Sequence, residues 1–128
     1  MPLLAPISVG ELLDKISILE LKAEAIADSA KHANVQCELD ALRLVRSHEV
    51  TASPQLDTLC ADLKAVNRVL WGIEDALREL EREGRFDERF VKLARSVYRH
   101  NDRRAAIKRQ INELTGSELI EEKSFPLV

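Results

Sequence analysis

Leu56, Leu59, Leu63, Val66, Leu70, Ile73, Leu77 and Leu80 follow one another at alternating steps of three and four residues without a miss. Only an α-helix puts residues so spaced on one face, and the alternation keeps them in a seam that winds slightly around a partner helix. A chain carrying this stripe must bury it against other helices. Ser53 is a good N-cap for the segment, and Pro54 lacks only an amide that would be unpaired in a first turn. Gly84 is suited to the left-handed conformation that closes a helix. The spacing predicts a helix over 54–83.

Upstream, Ser8 and Glu11 have capping-box spacing, with Ile7 and Leu12 placed as a hydrophobic staple. Leu12, Ile16, Leu19, Ala23, Ile26, Ala30, Ala33 and Cys37 continue in steps of four and three, and neither Gly nor Pro stands between Gly10 and Pro54. One helix over about 8–47 follows from this pattern, about 58 Å long at about 1.5 Å per residue. A rod of that length exceeds the width of a compact domain and calls for an equally long partner. Downstream, Asp87 as N-cap and Phe90, Leu93, Ala94, Val97, Ala105, Ile107, Ile111 and Leu114 predict a third helix over 87–115, ended by Gly116. Its periodicity falters at Arg99–Arg104. There Asn101 can fix a register, distort the helix or contact a ligand.

With 128 residues, 4 Gly, 4 Pro and 4% aromatic residues, the chain has the size and composition of a single helical domain over 1–128. The expected architecture is all-α: a long antiparallel helical hairpin, coiled-coil-like, with a third packed helix. A short C-terminal tail follows, with one helical turn and with Phe125, Leu127 and Val128 docked on the bundle or frayed. The seam Leu12, Ile16, Leu19, Leu63, Leu70 and Ile73 is the expected interface of a homodimer, and Trp71 beside it calls for cover from the third helix or a second subunit. Cys37 and Cys60 are expected as free buried thiols, because both lie on or beside apolar stripes. The N-terminus lacks the charge and apolar run of a signal peptide, and no stretch reaches about 18 apolar residues. No membrane span and a cytoplasmic location are the expectations.

The sequence holds no phosphate-cradling glycine loop, no dinucleotide fingerprint and no histidine pair at metal-binding helical spacing. His32, His48 and His100 are far apart, and adjacent carboxylates such as Glu74 and Asp75 point differently around a helix. The chain is therefore expected to be non-enzymatic, without a cofactor or metal.

Charge is unevenly placed. Residues 1–84 carry a formal −6, residues 85–110 +6 and residues 111–128 −3. In the basic block, Lys92, Arg95, Arg99 and Arg103 form one helical ridge, and Arg104 and Lys108 begin a second. Beside Tyr98, His100 and Asn101, such guanidinium groups suit an acidic protein or a phosphate-bearing partner through forked hydrogen bonds. The same pattern arises from a charged surface that answers acidic helices in its own chain. The acidic remainder of the molecule weighs against nucleic acid, leaving at most weak binding through 92–109.

Several segments resemble a family of short bacterial helical proteins known only as a domain of unknown function. They are Ile7–Glu20, Leu70-Trp71-Gly72-Ile73-Glu74, Ala94–Tyr98 with Asn101–Lys108, and Gly116-Ser117-Glu118-Leu119 with Glu122-Lys123-Ser124. The resemblance implies no catalytic residues. It implies an association with carbohydrate transfer or surface-glycan assembly, and hence an accessory protein binding a phosphorylated or nucleotide-activated sugar as the alternative to a helical scaffold or protein-interaction module.

Overall fold

The computed structural model describes residues 1–124, and the positions of Phe125, Leu127 and Val128 in the tail lie outside them. Four helices make up the fold: α1 Val9–Ala25, α2 Ser29–Glu49, α3 Pro54–Arg82 and α4 Glu88–Thr115. There is no strand among the described residues. The chain is an all-α helical bundle.

Most ends fall where capping chemistry places them. Ser8 Oγ accepts from the amide of Glu11 at 3.1 Å, Ser53 Oγ from Leu56 at 3.1 Å and Asp87 Oδ1 from Phe90 at 3.3 Å. Gly84 and Gly116 both have a φ of 67°, and the following amides of Arg85 and Ser117 reach back to the carbonyls of Leu80 and Asn112. This is the paired closure of a helix through a left-handed glycine. Ile7 stays 43% exposed, so the staple with Leu12 contributes little.

The single rod expected over 8–47 is divided. Ile26 and Asp28 are extended, with φ −85° and −61°, and the chain turns so that α2 packs on α1. No glycine is needed, because both conformations are ordinary for any L-residue. Asp28 caps the new helix by accepting from Lys31 N at 3.0 Å, and His32 Nε2 donates to the carbonyl of Ala23 at 3.1 Å. That bond satisfies one of the carbonyls left open at the end of α1. Arg43 and Glu20 tie the two helices further along, at 3.0 Å. Turning back buries Leu39, whereas a straight rod would leave its distal half without a neighbour.

The division makes α1 the centre of the bundle, packed against α2, α3 and α4, while α3 and α4 form the most extensively packed pair. Leu12, Leu13, Ile16 and Leu19 of α1 meet Leu39, Leu56, Leu63, Val66, Ile107 and Ile111 in one core. The residues expected to seal a homodimer are thereby used within one chain: Leu12, Ile16, Leu19 and Leu63 are buried, and Leu70 and Ile73 are half-buried. Trp71 is half-buried as well, at a shallow groove with Leu21, Ala25 and Arg68, so α1 supplies part of its cover. No helix among the described residues is long and apolar enough to cross a membrane.

Both cysteines are free, but Cys37 is exposed and only Cys60 is half-buried. Cys37 ends up exposed because α2 turns Val35, Leu39 and Leu42 to the core, the face opposite the expected stripe of Ala30, Ala33 and Cys37. Burial pushes the Cys60 thiol above its ordinary pKa, which lowers its thiolate fraction near neutrality. Iodoacetamide at pH 8 is expected to alkylate Cys37 first and Cys60 at least several-fold more slowly, as followed by peptide mass spectrometry. Equal rates would contradict the packing of α3 described above.

Candidate functional site

The two basic ridges of α4 face different ways. Arg104 and Lys108 stand on the same side of the helix as Ile107 and Ile111, which are buried, so they point toward α1. There they meet Asp14, only 1% exposed among Leu12, Leu13 and Ile16. The guanidinium of Arg104 takes Asp14 in a forked pair, with Nε to Oδ1 at 2.9 Å and Nη2 to Oδ2. Asn67 of α3 adds a third element, its Nδ2 donating to Asp14 Oδ1 at 2.9 Å and to Ser17 Oγ at 2.7 Å. Lys108 Nζ donates to Glu11 at 2.7 Å and to Glu121 at 2.7 Å, with Asp14 at 3.9 Å.

These contacts shift the titration of both cations. The hydrogen bond to Asp14 raises the pKa of Arg104 despite partial burial. For Lys108 burial opposes the charge, and the hydrogen bonds to Glu11 and Glu121 outweigh it, so its pKa is also raised. Both stay charged through the physiological range. Glu11, expected to return the hydrogen bond of a capping box, is instead occupied by Lys108.

The α1 terminus is held by α4 and the residue just beyond it. Gly10 N donates to Asn112 Oδ1 at 2.7 Å and Val9 N to Ser117 Oγ at 3.1 Å, so the open amides of the first turn find partners on α4 and just beyond it. A Cβ on Gly10 would lie 2.7 Å from the backbone oxygen of Lys108. Gly10 is therefore the residue that lets α1 approach α4 this closely.

Above this layer lies an open cleft of about 830 Å³, lined by Glu11, Tyr98, Asn101, Asp102, Arg104 and Lys108 and edged by residues 121–124. The structure thus brings together Tyr98, Asn101, Arg104 and Lys108 of the residues singled out in the sequence. It separates from them Arg95, Arg99 and Arg103, which are exposed on the outward face of α4, and His100, whose Nδ1 donates to the Ser96 carbonyl at 2.8 Å within its own helix. α4 runs unbroken through Asn101, so the residue does not break the helix.

Lys92, Arg95, Arg99 and Arg103 are all exposed, and none forms an ion pair among the described residues. Between Arg89 and Asn101 the helix carries no acidic residue at all. Tyr98, 41% exposed, lies between this ridge and the cleft. Asp14, Asn67, Ser17 and Asn112 are the site residues that the sequence reading did not single out. Their signal was present, since each is a polar residue set inside or beside an apolar stripe.

Among the described residues, no three His, Cys, Asp or Glu side chains converge as a metal site. No functionally curated protein and no solved structure matches the chain. One family does, over residues 3–127, covering α1, all of α4 and the tail together, so the buried network and the basic ridge both fall within the matched region. The chain belongs to that family, the family of unknown function DUF6165.

Proposed function

We propose that this protein is a non-catalytic helical interaction module that offers the ridge Lys92, Arg95, Arg99 and Arg103 to an acidic segment of a partner protein. One observation carries the reading. Of the basic residues of α4, Arg104 and Lys108 are consumed by the fold and Arg109 pairs with Glu113 and Glu122, whereas the row Lys92, Arg95, Arg99 and Arg103 meets no carboxylate among the described residues. Guanidinium groups three to four residues apart on a rigid helix are pre-organised to take several carboxylates at once. Their potential reaches about 8 Å into solvent at physiological ionic strength, enough to steer an acidic partner.

A phosphorylated or nucleotide-activated sugar is less well served. A phosphate on Arg104 and Lys108 would have to displace Asp14 and Glu11, and the cleft already presents Glu11, Asp102, Glu121 and Glu122 against Arg104, Lys108 and Lys123. The apolar stripes offer less to a second copy than their length suggests, since Leu12, Ile16, Leu19 and Leu63 are buried within one chain and Leu70 and Ile73 are half-buried.

The test is fluorescence anisotropy of a labelled octaglutamate peptide titrated with the protein. Binding that weakens steeply with salt and falls at least tenfold in Arg95→Gln/Arg99→Gln/Arg103→Gln is expected. Equal affinity for the triple variant and the parent would contradict the reading. Tighter binding of a single-stranded oligonucleotide than of the peptide would reassign the ridge to nucleic acid.

A further inference from the structure

The described tail shows how an acidic segment lies on α4. Beyond Gly116 the chain reverses and runs back along the helix: Glu121 reaches Lys108 at 2.7 Å, Glu122 reaches Arg109 at 2.8 Å, and Lys123 reaches Asp102 at 2.6 Å. Nothing apolar anchors residues 117–124, since Leu119 and Ile120 are 45% and 43% exposed. Among the contacts seen in the described residues beyond Ser117, the segment is held on α4 by the ion pairs of Glu121, Glu122 and Lys123, and ion pairs at or near the surface are weak and screened by salt.

The seat beneath it does not depend on the tail. Arg104 is fixed by Asp14, and Lys108 keeps Glu11 when Glu121 leaves. Arg99 and Arg103 follow Tyr98 and Asp102 by one position, about 100° round the helix. The unpaired ridge therefore borders the groove in which the tail lies.

We infer that residues 117–124 are a resident competitor, occupying in cis the groove that takes an extended acidic segment of the partner protein. This rests on the ridge reading above and adds the mode of binding. The partner's strand takes Arg109 where Glu122 leaves it, Lys108 staying with Glu11, while its further carboxylates meet Arg99 and Arg103. A tethered competitor acts at high effective concentration, so even a weak latch lowers the apparent affinity for an incoming segment.

The same octaglutamate titration, on the full chain, tests it with Glu121→Gln/Glu122→Gln beside the parent. A Glu38→Gln/Asp40→Asn control removes equal charge from exposed positions on α2 that do not line the groove. Binding about three- to tenfold tighter for the tail variant, with the α2 variant at the parental value, is the expected result. Equal tightening in both variants would mean that net charge alone is at work and would overturn the inference. Parent and tail variant binding alike, with affinity still lost in the ridge variant, would overturn the inference and leave the ridge reading intact. No binding by any form at low salt would overturn the ridge reading itself. Dimers of the parent that vanish in the tail variant, seen by light scattering, would assign the groove to a second copy's tail and overturn the partner-protein assignment.

Discussion

Arg104→Ala is expected to lower the unfolding free energy by about 3 kcal/mol, the lower end of the range for breaking a buried ion pair from one side. Asp14 is 1% exposed and cannot move into water, so removing its forked partner leaves a buried carboxylate with Asn67 and a lysine 3.9 Å away as its remaining support. That support is why the loss should not reach the upper end of about 5 kcal/mol. Urea unfolding followed by circular dichroism reads the change directly. Replacing both partners by apolar groups of similar size, Asp14→Leu/Arg104→Met, should recover most of the loss, because neither charge is then stranded. A double variant no more stable than Arg104→Ala would mean that the pair has a role beyond mutual neutralisation.

Gly10→Val should be about as damaging, at about 3 kcal/mol or more. The first atom of any side chain there meets the Lys108 carbonyl at 2.7 Å, and that oxygen belongs to the backbone of α4 and cannot rotate away. Separating the helices to make room would also break the bond from Gly10 N to Asn112 and leave a buried amide unpaired. Gly72→Ala is the matching control. Gly72 lies within α3 with nothing within 4 Å of where its Cβ would stand, so alanine should stabilise the protein by about 0.8–1 kcal/mol through helix propensity alone. A melting temperature unchanged by Gly10→Val would contradict the close approach of α1 to α4.

What the sequence discloses about this fold is mostly local. The caps at Ser8, Ser53 and Asp87, the closures at Gly84 and Gly116, and the seam of α3 are set by residues a few positions apart, and each stands where local chemistry puts it. The turn at 26–28 is different. Its only local mark is Asp28 followed by Ser29, and the gain that makes the chain turn comes from packing α2 on α1, a tertiary effect that spacing does not carry. Of the expected homodimer seam, Leu12, Ile16 and Leu19 came from that rod, and Leu63, Leu70 and Ile73 from α3. Once α1 stands alone at the centre, its apolar face is covered by three helices of its own chain.

The site divides in the same way. Two ridges on α4 were legible, but which one faces inward depends on where Ile107 and Ile111 are buried. Arg104 and Lys108 share that side, and a cation on a core-facing stripe requires a carboxylate on the opposite helix. Asp14, directly after Leu12 and Leu13, was the visible candidate, and Asn67 beside Val66 was the polar residue in α3 that completes the set. Pairing them takes three elements up to 90 residues apart, which no single periodicity links.

Fold and recognition thus draw on separate basic residues of one helix. The most direct test of that separation is a single urea titration run in parallel on Arg104→Gln and on Arg95→Gln/Arg99→Gln/Arg103→Gln. A clear fall in midpoint is expected for the first, and a midpoint at or slightly above the parent's for the second, whose three exposed charges repel one another. A destabilised ridge variant, or an Arg104→Gln protein as stable as the parent, would contradict the separation.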